Sequence, residues 1–450
     1  MNYATVNPVN NELIKEFALD AFPDLNISQQ AFKGWRKLTI EERGVQMRKV
    51  AVTIEKNKKR LSELISLEMG KTLAEAEYEI SKTITAFDYY IEHAPHFLQP
   101  EVIKSNASKS YVSFEPLGII FAVMPWNFPF WQVFRFAVPT LMAGNVAVLK
   151  HAPNVPQCAQ AIEEMFTEAG MPANIFKNYF LSNDDAAKVI ADPLVHGISF
   201  TGSDTTGSTL AALAGKSIKK CVMELGGNDA FIVLEDADLD LAVNGAIKSR
   251  GINSGQACNG AKRFILVERV AEAFTAKLIE AVGQLKMGDP ADEATNIGPV
   301  ARPDLQQKVL DQIERSVGKG AVPHVNAKAP NEKGNWVAPT VLTGVKPGMP
   351  AFDEEIFGPV WSVIVVKNEE EAIATANNSV FGLGASIWTK DEAKAEKLAP
   401  ELEAGNVFIN AIVKSDARLP FGGIKRSGFG RELSEYSLKE FVNIKTVYIN

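Results

Sequence analysis

The sequence predicts an α/β protein with mainly parallel sheets, and three observations carry that expectation. Between residues 117 and 233, short apolar runs alternate with amphipathic helical stretches. A helix between two strands returns the chain to the same end of the sheet, so the strands run parallel. A second α/β alternation follows from about Gly226 to Trp388. The chain's 450 residues, 46% apolar and 22% charged, suit a globular protein of two or three domains with sizeable cores.

Taken in order, residues 27–94 read as helical. Ser28 is placed to cap the chain from Gln29, and Thr39 with Glu42 forms a capping-box pattern. From Glu42 to Lys71, apolar positions recur at helical spacing. Alternation over 111–115 predicts a strand. Strands then follow at 118–124, 146–150, 176–181, 197–201, 220–225 and 230–233. Helices at 131–143, 156–169, 184–191 and 204–215 separate them, with Gly170 just past the end of the second. The second set has helices at 240–249, 272–282 and 369–376 and strands at 262–267, 340–342, 361–366 and 385–388. Residues 318–334 are rich in Lys, Gly, Asn and Pro and read as a surface connection; 440–449 alternate as a terminal strand.

A net charge of −7 argues against a dedicated nucleic-acid or anionic-membrane binder. The first residues carry neither a basic n-region nor an apolar h-region, so no secretory signal is expected. Residues 117–149 are the most apolar. They are broken by Pro125, Asn127, Pro129, Arg135, Pro139 and Asn145, the pattern of buried strands around a site and not of a membrane span. Cys158, Cys221 and Cys258 have no paired spacing, which points to a reducing, cytoplasmic compartment without a disulfide framework. The five histidines form no ligand constellation with them, and no metal site is expected.

Cys158 lies on an amphipathic helix and Cys221 in an apolar strand, where a small buried hydrophobe is the ordinary role. Cys258 differs: Asn253-Ser-Gly-Gln-Ala-Cys-Asn-Gly260 is polar and offers nothing apolar to pack a sulfur. A thiol on such a loop suits a nucleophile, given backbone N–H dipoles that favour the thiolate. Glu224 ends a strand just before Gly226 and Gly227. It reads either as a salt-bridged strand-end acid or as a base whose pKa is raised by a dry pocket. Asn127, within Pro125-Trp-Asn-Phe-Pro129, reads either as a turn former or as an amide donor for a developing oxyanion. Thr201-Gly-Ser-Asp-Thr-Thr-Gly207 leaves a strand and opens a helix, which suits a pyrophosphate. Lys150 at a strand end is either solvated or within reach of a ribose or phosphate.

Pro-Trp-Asn-Phe-Pro, Phe-Thr-Gly-Ser, Glu-Leu-Gly-Gly, Gly-Gln-Ala-Cys, Glu354-Glu-Ile-Phe-Gly-Pro-Val360 and Pro420-Phe-Gly-Gly-Ile-Lys-Arg-Ser-Gly-Phe-Gly-Arg431 occur in that order. The set resembles the aldehyde dehydrogenase superfamily from end to end. Trp131-Gln-Val-Phe-Arg135, Leu149-Lys-His-Ala-Pro153 and Lys414-Ser-Asp-Ala-Arg-Leu-Pro420 make it most similar to bacterial succinate-semialdehyde dehydrogenases. The resemblance implies a Rossmann-type nucleotide-binding domain from 1–97 and 117–226 and an α/β catalytic domain over 227–430. It also implies a small β oligomerisation element from 98–116 and 431–450, in a homodimer or homotetramer. The implied catalytic residues are Cys258 as nucleophile, Glu224 as the base for water, and Asn127 with the Cys258 N–H as oxyanion donors. NAD or NADP is the implied cofactor, met by Trp126, Lys150, Pro153, Gly202, Ser203, Leu225, Glu355 and Phe357. Arg135, Ser415, Trp131 and Phe421 are the implied substrate contacts, with Arg135 matching the arginine that these enzymes set against the carboxylate of succinate semialdehyde.

Three departures matter. Many relatives carry a second arginine six residues before the nucleophile; Ile252 stands there, with Arg418 and Lys262 as candidate replacements. The glutamate that NAD-preferring relatives place three residues after the lysine is Pro153, which neither repels nor donates to a 2′-phosphate, so both cofactors are expected to be usable. The redox-partner cysteine of some relatives is Gly260, so no disulfide is expected within the loop. Glutarate semialdehyde and other short ω-carboxy aldehydes stay open as substrates. A catalytically silent binding relative and an enzyme passing the acyl group to coenzyme A are the alternatives. The joint retention of Cys258, Glu224 and Asn127 speaks against the first, and Glu224 against the second.

Overall fold

The computed structural model describes residues 3–325 and 328–450. A six-stranded sheet organises the first half. Its strands lie in the order Gly428–Phe429, Lys220–Glu224, Val195–Thr201, Ile119–Met124, Val146–His151 and Phe176–Asn178. All neighbours are parallel except Gly428–Phe429. From Ile119–Met124 the chain first moves outward through two strands, then crosses back to Val195–Thr201 on the other side. That reversal opens a crevice at the carboxyl ends of Ile119–Met124 and Val195–Thr201, where doubly wound folds bind ligands.

Helices Leu25–Trp35, Ile40–Lys56, Lys58–Met69 and Leu73–Phe97 pack over this sheet, with Trp35, Met47, Ile54, Phe87, Phe121 and Phe134 in one core. The Thr39–Glu42 capping box forms as predicted. Ser28 does not cap the first helix: Asp24 does, accepting from Asn26, and Ser28 is buried one turn in. A hairpin, Tyr3–Asn7 with Glu12–Phe17, precedes the helices and is not evident from the sequence, because its second strand is almost wholly exposed and its adjacent Leu13 and Ile14 break any alternation.

The second sheet has seven strands, with Ala230–Val233 between Arg263–Val267 and Gly384–Trp388, and Val360–Val366 beyond Arg263–Val267. Ile232, Ile265, Ile364 and Ile387 face one core, while Phe231, Phe264, Val363 and Trp388 face the other. Alternate residues are thus buried on both sides, as a helix-covered parallel sheet requires. The 318–334 connection contains an edge strand, Val322–Val325, antiparallel to Thr340–Thr343; residues 326–327 within it lie outside the described residues. A helix at Pro303–Gly318 also escapes the sequence reading, although Pro303 at its first turn is a start signal.

The chain passes from the first sheet to the second through residues 225–229, so Glu224 stands where the two meet. Gly428–Phe429, read from the sequence with the second unit, returns to the first and pairs with Met223 and Glu224. Val442–Ile449 pairs along its whole length with Lys109–Pro116, and Glu101–Val102 completes a three-stranded sheet. Glu440 itself ends a short helix, Ser434–Glu440. Among the described residues no helix is long and apolar enough to cross a membrane.

Candidate active site

Cys258 lies on the loop between helix Leu239–Gly251 and strand Arg263–Val267. Just before it, Asn253, Ser254 and Gly255 take left-handed backbone in succession, with φ of 51°, 53° and 76°. For the two side-chain-bearing residues this costs ~1–2 kcal/mol each and needs outside support. The Asn253 N–H donates to Glu75 at 2.8 Å, and Ser254 Oγ to the Gly298 carbonyl at 3.0 Å. Gln256 accepts from the Ala301 N–H at 2.9 Å and donates to the Asn253 carbonyl at 3.1 Å. Gly255 is obligatory, because a Cβ there would strike the Gly358 carbonyl. The motif around Glu354 thus braces the nucleophile loop from the second sheet.

Asn127 follows strand Ile119–Met124. Its Nδ2 donates to the Gln256 carbonyl at 2.9 Å, and its Oδ1 accepts from Gln132 Nε2 at 3.2 Å. A carbonyl only accepts, so the amide is fixed with its nitrogen toward the Cys258 loop and one N–H uncommitted. Gln132, which the sequence reading passes over, is the residue that sets this orientation. Glu224 is buried, and its Oε1 has no hydrogen-bond partner among the described residues. Burial pushes its carboxyl well above the usual range; Arg135 opposes this and Glu432 adds to it. Gly422 makes the room, since a Cβ there would stand 2.8 Å from Glu224 Oε1.

Cys258 lines two cavities. The larger, of about 300 Å³, brings together Trp126, Asn127, Gly202, Ser203, Glu224, Leu225, Glu355 and Phe357 at the reversal point of the first sheet. Trp126 and Phe357 meet edge to face at 5.9 Å. The Gly202 N–H donates to the Glu224 carbonyl at 3.0 Å, and Ser203 caps helix Asp204–Lys216 by accepting from Thr206. The positive end of that helix opens on the cavity, a setting that favours a phosphate. Gly207 in its first turn lets Leu225 pack closely. Glu355 accepts from the Gly227 N–H at 3.0 Å and pairs with Lys262 at 3.3 Å.

Lys150 and Pro153 stand apart from this lining, at the end of the adjoining strand Val146–His151. Lys150 is buried with its ammonium 5.7 Å from the Tyr3 ring and, among the described residues, no hydrogen-bond or ion-pair partner; burial lowers its pKa to about 8. An uncommitted cation there fits the ribose end of a dinucleotide. Pro153 contributes its carbonyl to the Ala4 N–H at 3.0 Å.

The smaller cavity, of about 130 Å³, is lined by Lys82, Phe128, Trp131, Arg135, Ile252, Ser415 and Phe421 as well as Cys258. Arg135, expected as the anchor for a carboxylate, lines this cavity and also has an internal counter-ion. It is 2% exposed and ion-paired with Glu432, with Thr201 Oγ1 at 3.5 Å and the Phe421 ring at 5.4 Å. A guanidinium this deep needs a counter-ion, and Glu432, absent from the sequence reading, supplies it. Neither candidate replacement for the missing arginine reaches this cavity. Arg418 is 75% exposed and pairs with Asp416 at 2.6 Å. Lys262 turns toward Glu355 and the carbonyls of Ala257 and Cys258. The unforeseen cation is Lys82, which donates to Ser415 Oγ at 2.7 Å and lies 4.4 Å over the Trp131 ring.

Burial raises the Cys258 thiol to about 11, against the pull of Arg135 and Lys262 and with the push of Glu224 and Glu355. The resting sulfur is therefore protonated at neutral pH, and its thiolate fraction grows about ten-fold per pH unit below that value. Inactivation of the cofactor-free protein by iodoacetamide, with the adduct mapped to Cys258, is accordingly expected to accelerate steadily from pH 7 to 9. A rate that levels off near pH 7 would mean a thiolate already formed at rest. Cys158 and Cys221 are also unpaired, and burial raises both.

The aldehyde dehydrogenase family pattern matches residues 1–447. A protein of Synechocystis sp. named a probable succinate-semialdehyde dehydrogenase (NADP+) is 46% identical, with 100% of both chains covered. Succinate semialdehyde dehydrogenase (NAD(P)+) of Escherichia coli is 43% identical over 99% of this chain and 97% of its own. The crystal structure of succinic semialdehyde dehydrogenase from Streptococcus pyogenes with NADP+ superposes with a TM-score of 0.96, at 38% identity and 99% coverage of both chains. With its thiol bordering two cavities, and matching these proteins from end to end, the chain belongs to the aldehyde dehydrogenase family.

Proposed function

We propose that the protein oxidises succinate semialdehyde to succinate, using NADP or NAD. The observation that carries this reading is the position of Cys258, which borders both the crevice suited to a dinucleotide and a smaller cavity lined by Lys82 and Arg135. The names of the similar proteins support the same substrate and cofactors.

In this reading Cys258, as thiolate, attacks the aldehyde carbon. The uncommitted N–H of Asn127 and the backbone N–H of Cys258 receive the oxyanion. Trp126, Glu355 and Phe357 hold the nicotinamide end of the cofactor, Leu225, Gly202 and Ser203 its middle, and Lys150 with Pro153 its adenosine ribose. When bound, the cofactor supplies the hydride acceptor. Glu224 then takes a proton from the water that hydrolyses the thioester, releasing acid and free thiol. Trp131, Phe421 and Ser415 shape the substrate cavity, while Arg135 lends it positive potential and favours the thiolate. The unpaired cysteines fit a reducing cytoplasm. The exposed Val102, Ile444 and Tyr448 on the three-stranded sheet fit its use as the contact of a homodimer or homotetramer.

Cofactor reduction followed with a panel of aldehydes tests the reading. Succinate semialdehyde is expected to exceed uncharged butanal in kcat/KM by about ten-fold or more, as a charge-assisted contact would give. Equal values would remove the carboxylated substrate from the proposal, and a higher value for glutarate semialdehyde would lengthen it.

A further inference from the structure

The cation expected at position 252 is absent, since Ile252 lines the substrate cavity, and the charge of Arg135 is balanced by Glu432. Two lysines line that cavity, and neither is ion-paired among the described residues; Lys414 is exposed, whereas Lys82 is held in place by Ser415. Lys82, on helix Leu73–Phe97, has no carboxylate within ion-pair distance among the described residues. The acids around it are engaged elsewhere. Glu79, one turn before it, pairs with Lys71 and caps the next helix by accepting from the N–H groups of Phe130 and Trp131 at 2.9 and 3.0 Å. Asp416 is held by Arg418 through two guanidinium contacts of 2.8 and 2.6 Å.

Ser415 adds a second donor by elimination. Its oxygen accepts from Lys82 Nζ at 2.7 Å and from Trp131 Nε1 at 3.1 Å. An ammonium and an indole N–H can only donate, so the hydroxyl proton is left for another acceptor. A charged donor and a neutral donor thus lie side by side on the wall of the cavity that holds Cys258. The same residues face a wider outer hollow with Tyr78, Tyr89 and Arg418, so Lys82 stands where that hollow narrows into the cavity.

We propose that Lys82, beside the Ser415 hydroxyl that the resemblance already assigns to the substrate, binds the distal carboxylate of the aldehyde substrate and selects for it. This rests on the reading of a carboxylated aldehyde given above. Arg135 then acts further in, as the partner of Glu432.

The test compares kcat/KM for succinate semialdehyde with that for butanal in the wild type, Lys82→Met and Lys82→Arg, all with folding checked by circular dichroism. Taking the ratio cancels changes in the thiol and in cofactor binding. The ratio is expected to fall about ten-fold or more in Lys82→Met, chiefly through KM for succinate semialdehyde, and to recover in Lys82→Arg. A high wild-type ratio that survives in Lys82→Met overturns the assignment of Lys82. A wild-type ratio near one sinks the carboxylated-aldehyde reading beneath it.

The pH dependence of the wild-type ratio tests the same assignment without a variant. Burial and Arg135 lower Lys82 to about 8, while Glu79, Asp416 and Cys258 pull the other way, and Lys414 shares the same wall. The ammonium binds a carboxylate only while protonated. The wild-type ratio is therefore expected to be full below pH 7 and to decline as pH rises through about 8, whereas Lys82→Arg holds its ratio to higher pH.

Discussion

Cys258→Ala is expected to lower steady-state NAD(P)H formation by ~10⁴-fold or more, the scale seen when a covalent nucleophile is removed from a preformed site. The expectation follows from what surrounds the sulfur. Of the three cysteines, only Cys258 borders the two cavities. The loop that carries it is held by hydrogen bonds to Glu75, Gly298 and Ala301, none of which involves the thiol. Removing the sulfur therefore leaves the Asn127 amide and the cofactor crevice in place. The alanine variant should still bind NADP, by fluorescence titration, with ordinary affinity. Appreciable turnover in such a folded, cofactor-binding variant would end the case for thiol attack.

Glu224→Gln is expected to cut steady-state turnover by ~10²–10⁴-fold, the usual span for a general base, while leaving one burst of reduced cofactor per site. The carboxyl is buried, its Oε1 is unpartnered, and burial raises its pKa well above the ordinary range. Those are the conditions that turn a weak base into a useful one near neutral pH. Glutamine keeps the size and fits against Gly422, but it cannot take a proton from water. The acyl group should then stay on Cys258, where intact-protein mass spectrometry would find it. Loss of the burst along with the turnover would place Glu224 in the attack step or in folding, and would remove it from hydrolysis.

The α/β plan is legible because each strand and helix of the first sheet needs its own apolar pattern, and those patterns are local. The nucleophile loop is legible for the same reason: a cysteine among Asn, Ser, Gly and Gln has no packing partner in sequence. What sequence cannot carry is the partner chosen across the fold. Arg135 reads as a carboxylate anchor through the resemblance, and nothing local to it announces that Glu432, almost three hundred residues further on, is its counter-ion. Nothing in the sequence around Lys82 singles it out; its partner Ser415 lies on a loop more than three hundred residues further on. The strand Glu12–Phe17 is hidden for the opposite reason, since it is exposed on both faces and its apolar residues follow no period of two.

The return of Gly428–Phe429 to the first sheet bears on when the site comes into being. The strand that ends in Glu224 is closed by that pairing, by the Leu225 N–H donating to the Ser427 carbonyl at 3.0 Å, and by Ser427 Oγ donating to the Gly226 carbonyl at 2.7 Å. Arg135 meets its counter-ion at Glu432, on the same late segment. A chain emerging from the ribosome has Asn127, Glu224 and Cys258 long before it has residues 427–432. The base and the buried arginine therefore gain their final surroundings only when residues 427–432 fold back onto the first sheet, so the hydrolytic half of the site is finished after the loop that carries the thiol.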